Sequence, residues 1–309
     1  MGFKILSKVE APGKSSAYED SLAIVSHDND LFVGVFDGRR AWKEGGDAER
    51  MVAEHNVQST GQAAALAASE KMRRICGVFE EPWAFAYEIN YWWRMTLQYY
   101  RYDFKKPEGL PGCAATIVRF LEKKRAISFA NILDTKIILF NEKAEFFIPT
   151  IDHMESWDRI VLRIAVNNGK ALGVSPRAAL WEVDYAKHPS LRDPKAVDNE
   201  HRRLENVSYE AGLGVLNGMS SAVHFIQTGT FPMGRFQYAL ICTDGLSFPP
   251  TLEESPPWKE MVQFLLTNNL DLELLVKEIR RREDDDREFI KYPRFAYNRD
   301  ATGVLIEIS

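Results

Sequence analysis

The chain has little cysteine. Cys76, Cys113 and Cys242 stand far apart with no C-x-x-C pair, which argues against a disulfide framework and a thiolate zinc site and fits a reducing compartment. Positive charge is not in excess either. With 44 acidic against 39 basic residues the formal net charge is -5, so no diffuse nucleic-acid footprint is built on Lys and Arg. No stretch approaches the roughly 18 apolar residues of a membrane span. The start MGFKILSKVEAPGKSS shows no secretory signal, because charges return after Phe3, Ile5 and Leu6. The expectation is a cytoplasmic protein with neither nucleic acid nor membrane as a partner. Common catalytic signatures are missing too. The GKS at Gly13 has Lys8 where a phosphate-binding loop needs its first glycine, and there is no H-E-x-x-H or G-x-S-x-G. GLGVLNG, from Gly212, puts Asn217 where the third glycine of a dinucleotide loop belongs. The six histidines are scattered and read as surface or core residues rather than metal ligands.

What is present is an average globular composition, 45% hydrophobic and 27% charged over 309 residues. Short β-rich runs open the chain: FKILSKV, LAIVS and DLFVGVFDG. From Asp47 to about Asp103 the pattern turns to Ala, Leu, Met, Trp and Tyr, broken at Gly77 and Pro82. This predicts two or three helices, with Trp83, Phe85, Tyr87, Trp92 and Trp93 largely buried. GQAAALAAS suits a helix packed closely on a neighbour. GCAATIVRF, RAISFANIL and KIILF are spaced for an antiparallel meander. A mixed stretch with four prolines follows over 141–217, then the strand FQYALICT. A helix carries Leu272, Leu275, Val276 and Ile279 on one face, and in a last strand Val304, Ile306 and Ile308 share a face. Strands at both ends and no linker predict a single α+β domain over 1–309, with 141–217 as a partly irregular, flap-like insertion.

The aspartates fall in an informative pattern. LFVGVFDG and YALICTDG each run a strand directly into Asp-Gly, at Asp37 and Asp244. One such pair is an ordinary hairpin turn. Here Glu19-Asp20 also opens LAIVS, Asp134 ends ISFANIL, and Asp300 precedes the final strand, so five strand ends carry carboxylates. Oxygen-only donors suit hard ions such as magnesium or manganese. Crowded carboxylates repel one another, and cations would relieve that repulsion. Two such ions about 3.5–4 Å apart can lower the pKa of a shared water and aim it at phosphorus.

In order, the segments YEDSLAIV, LFVGVFDG, GCAATIVRF, ISFANILDTKIILF, TIDHMESWDRIVLRI, ALICTDGL and RDATGVLI resemble the metal-dependent type 2C (PPM) protein serine/threonine phosphatases, as a divergent bacterial-type member. The resemblance implies two packed antiparallel β-sheets flanked by helix pairs, two manganese or magnesium ions with a weak third, and a phosphoprotein substrate or signalling partner. It implies that Asp37 bridges two metals and that the Gly38 carbonyl binds one. Glu19 and Asp20 would hold metal-bound waters, Asp244 would ligate the second metal, and Asp134 with Asp244 would form the third site. Gly112 would allow close strand packing.

The chain departs from the family pattern at several positions. Ser15, beside Lys14, stands where an arginine usually grips phosphate. Arg39-Arg40 replace the residues that usually follow Asp-Gly, and Leu133-Asp134-Thr135 replaces Gly-Asp-Ser. Arg39, with Lys14, is therefore the candidate for phosphate binding, since a guanidinium can hold phosphate bidentately. In Arg299-Asp300-Ala301-Thr302 the family's metal-binding Asp aligns with Arg299, and Asp300 lies one position away. A one-residue shift in a strand turns a side chain to the other face. Two functions follow: a metal-dependent phosphoserine/phosphothreonine phosphatase, or a catalytically impaired pseudophosphatase acting as a binding or regulatory module.

Overall fold

A computed structural model describes residues 2–13, 18–41, 45–207, 212–254, 256–296 and 298–308. Two five-stranded antiparallel sheets form its centre. One runs β1 (Phe3–Ala11), β10 (Ala301–Ile308), β9 (Tyr238–Cys242), β6 (Lys136–Phe140) and β7 (Phe146–Phe147). The other runs β2 (Asp20–His27), β3 (Asp30–Arg39), β4 (Gly112–Leu121), β5 (Ala126–Ile132) and β8 (Gln227–Pro232). The expected α+β architecture is therefore present.

Period-two alternation builds the layers. In β3, Leu31, Val33 and Val35 enter the core between the sheets, where they meet Ile137, Leu139 and Ile241 of the other sheet. Phe32 and Phe36 point the opposite way, into a core shared with α2 (Thr60–Ile75) and α3 (Pro82–Tyr99). In β10, Val304 and Ile306 face the inter-sheet core. Ala301 and Leu305 pack under α7 (Trp258–Thr267) and α8 (Leu272–Asp284). Burying each such large side chain contributes about 1.5–3 kcal/mol. Ser59 caps α2, its Oγ accepting from Gln62 N at 3.0 Å. The alanines of α2 let it lie close on β3 and α3.

Three local details go beyond the sequence pattern. On α3, Phe85 and Trp93 are buried, but Trp83, Tyr87 and Tyr91 are 54%, 48% and 53% exposed, because only one face of this helix meets the sheet. The stretch 141–217 is more helical than its prolines suggest, with α4 (Glu155–Leu172), α5 (Pro176–Trp181) and α6 (Pro194–Arg202). Pro176 and Pro194 occupy first helical turns, where the missing N–H has no cost. Val161, Leu162, Ala165, Leu180 and Val197 give these helices a small core of their own. Strand β8 is invisible to patterning because QTGTFP contains Gly229 and Pro232 and buries no residue fully. No helix among the described residues is long and apolar enough to cross a membrane.

The register places the acids. Asp20 of β2 lies opposite Asp37 of β3, which lies opposite Ala114 of β4. The β5–β6 turn carrying Asp134, the end of β9 before Asp244 and the start of β10 after Asp300 border the same cavity.

Candidate metal centre

The cavity has a volume of about 710 Å³ and is lined by Glu19, Asp20, Asp37, Gly38, Asp134 and Asp244, with Arg39, Arg40, Arg299 and Asp300 at its edge. Helices α4 and α6 contribute Asp158, Asp198 and Arg202. Every predicted site residue except Lys14 therefore borders one space. Lys14, and the Ser15 beside it, lie outside the described residues.

Gly38 is required by close approach. A Cβ there would overlap the carbonyl oxygens of Gly61 and Glu19, and its N–H donates to the latter at 3.0 Å. The N-terminus of α2 thereby sits against the β3 end. Glu19 accepts from Arg40 Nε at 2.6 Å and from the Ser59 hydroxyl. Asp20 is buried, and its Oδ2 accepts from Thr243 Oγ1 at 2.9 Å.

Burial, reinforced by crowding, raises the carboxyl pKa values. Burial, then Asp20, Asp244 and Asp134, hold Asp37 well above the usual carboxylate range. Asp20 is raised by burial, with Asp300 and Asp244 adding to it. Asp134 is pushed up to about 7, first by burial and then by Asp244 and Asp152. Its Oδ1 is buried without a hydrogen-bond partner. Leu133, just before it, has a φ of 76°, a left-handed conformation unusual for a branched residue. Burial of Leu133 among Ala114, Leu213 and Val215 holds it there.

Asp158 was not anticipated. It lies on α4 within SWDRIVLRI, borders the cavity and has a raised pKa from burial, opposed by Arg299. No local motif marks it, since its proximity to Asp134 and Asp244 arises only from the packing of α4.

The arginines are engaged. Arg39 is ion-paired with the buried Glu205, though without hydrogen-bond geometry at its Nη2. Arg202 Nε donates to Asp198 at 2.9 Å. Arg299 is ion-paired and hydrogen-bonded to Asp244. Asp300 accepts from Gly13 N at 2.6 Å and Glu19 N at 2.7 Å, so both of its oxygens hold backbone amides.

The donors suit a hard divalent ion, since Asp20 and Asp37 repel each other and Asp134 presents an unpartnered oxygen. The Asp244 side already holds a cation, the Arg299 guanidinium. Among the described residues no three His, Cys, Asp or Glu side chains form a ready-made cage.

No protein-family model and no curated protein matches the chain. Solved structures do match over its length. A bacterial serine phosphatase is 14% identical with a TM-score of 0.53, covering 100% of this chain and 98% of that one. The serine/threonine phosphatase Stp1 from Staphylococcus aureus is 13% identical with a TM-score of 0.55, covering 99% and 94%. The Mycobacterium tuberculosis serine/threonine phosphatase PstP/Ppp is 14% identical with a TM-score of 0.51, covering 100% of both chains. The chain has the fold of the PPM-type serine/threonine phosphatases. At these identities the likeness is one of fold, and function rests on the chain's own residues.

Proposed function

We propose that this chain is a metal-dependent phosphoprotein phosphatase acting on phosphoserine or phosphothreonine in the cytoplasm, built as a single domain over 1–309. The observation that carries the reading is the gathering of Asp20, Asp37, Asp134 and Asp244 from separate strand ends around one cavity, in a fold shared with serine/threonine phosphatases. Magnesium or manganese bound there would act as a Lewis acid toward a phosphoryl oxygen and lower the pKa of a water. Asp37 with the Gly38 backbone would hold the ion. Asp20, braced by Thr243, and Glu19, braced by Ser59 and Arg40, would orient water around it. Asp134 would complete the oxygen donors on that side. Arg39, beside Asp37 in sequence, is the candidate to grip phosphate once it turns from Glu205. Helices α4 and α6 of 141–217 contribute Asp158, Asp198 and Arg202 to the wall, which suits a flap that reads the substrate.

The Arg299–Asp244 pair favours a second reading, in which the cavity binds a partner without catalysis. One experiment separates the two. Hydrolysis of a phosphothreonine peptide is measured with manganese, with chelator and with Asp37→Asn. Manganese-dependent turnover lost in the variant supports the enzyme. Folded protein without turnover at high concentration supports the binding module.

A further inference from the structure

The backbone around Arg299 is held on both flanks, and its side chain borders the cavity beside Asp244. A Cβ on Gly245 would overlap the Asp300 carbonyl oxygen, so the turn after β9 lies directly against this segment. Both Asp300 oxygens are fixed by the amides of Gly13 and Glu19, and the Arg299 carbonyl accepts from Arg280 Nη2. Two residues on, Thr302 N donates to Thr243 Oγ1 at 3.0 Å, while Thr243 N donates to Thr302 O at 2.9 Å. With both Asp300 oxygens held by backbone amides and the Arg299 carbonyl held by Arg280, the Arg299 side chain lies beside Asp244. Asp158, Asp134 and Asp37 are the next charges it feels, and all favour its charged form.

Resting on the metal-centre reading above, we propose that Arg299 is a built-in counter-cation that takes the place of one divalent ion at Asp244. The cavity then accepts a single ion, on the Asp37 side. A guanidinium is charged at every accessible pH and cannot be displaced by deprotonation. It neutralises Asp244 and repels a second divalent ion from the same carboxylate. The arginine thereby does permanently what a second ion would do only when bound.

The test counts bound manganese on the full chain after chelation, by calorimetry and by electron paramagnetic resonance of the free ion. Arg299→Asp is expected to bind one more ion than the wild type. Equal stoichiometry in the two proteins, or two ions in the wild type, overturns the proposal. The wild-type count reads the underlying function separately. One ion supports a metal centre on the Asp37 side, whereas none in the wild type with one in Arg299→Asp keeps the counter-cation and removes the native metal. Arg299→Ala adds no ligand and covers the case in which Arg299→Asp does not fold. Its melting temperature in chelator is expected to fall below the wild-type value and to recover with manganese. An unchanged melting temperature, indifferent to manganese, overturns the proposal.

Discussion

Thr243 and Asp20 join the two sheets: the hydroxyl at the end of β9 donates to the buried carboxylate at the start of β2 at 2.9 Å. The same hydroxyl accepts from Thr302 N at 3.0 Å, so one side chain ties β2, β9 and β10 at the cavity floor. Thr243→Val keeps the shape and removes both bonds. Leaving the buried Thr302 N–H without its acceptor costs about 1–3 kcal/mol. The melting temperature in chelator is expected to drop by several degrees, and an unchanged value would show that the sheets do not depend on this tie.

Asp37→Asn should separate activity from stability. Burial and three neighbouring aspartates make the Asp37 charge unfavourable in the fold. A neutral isostere relieves this. The variant is therefore expected to melt higher than the wild type in chelator at pH 7 while losing manganese-dependent turnover. Thermal melts with and without manganese check both halves, and a lower melting temperature in chelator would contradict the repulsion argument.

Much of this arrangement could be read from the chain. Asp37 and Asp244 are visible because buried strands run directly into Asp-Gly, and sheet alternation then dictates which residues form the core. Asp158 is not legible, because a lone acid on an amphipathic helix has the same local pattern whether it faces solvent or a cavity. Arg299 stands out as a departure, yet its pairing with Asp244 depends on the approach of Gly245 to residue 300. Arg39 illustrates the opposite limit. Residue type points to phosphate, but its partner Glu205 lies 166 positions away (205 − 39), beyond any local pattern.

The pH dependence of stability follows from Asp134. Its carboxyl is pushed up to about 7 from an ordinary 3.8, chiefly by burial and then by Asp244 and Asp152. A raised carboxyl pKa means that the folded chain binds the proton more tightly than the unfolded one. The associated stability is fully present below about 4 and fades as pH rises through about 7. Asp20, Asp37 and Asp158 are shifted in the same direction. In chelator the wild-type melting temperature is expected to fall across this window, and Asp134→Asn to fall less steeply. Parallel curves for the two proteins would exclude Asp134 as a contributor.

Arg39 and Glu205 provide a test of whether the pair is structural or gates the site. Both side chains are well buried, at 14% and 4% exposure, so removing one partner strands the other's charge. Breaking a buried pair in this way costs about 3–5 kcal/mol. Glu205→Gln keeps the volume and a polar partner, and is expected to destabilise less than Arg39→Ala. A purely structural pair makes the variants differ in melting temperature while leaving the Michaelis constant for a phosphothreonine peptide unchanged. A phosphate-gripping Arg39 gives the opposite pattern. Glu205→Gln then lowers the Michaelis constant by releasing the guanidinium, and Arg39→Ala raises it by roughly tenfold, the effect of losing about 1.4 kcal/mol of binding. Steady-state kinetics with manganese on the two variants, corrected for the folded fraction from their melting curves, decide between these outcomes.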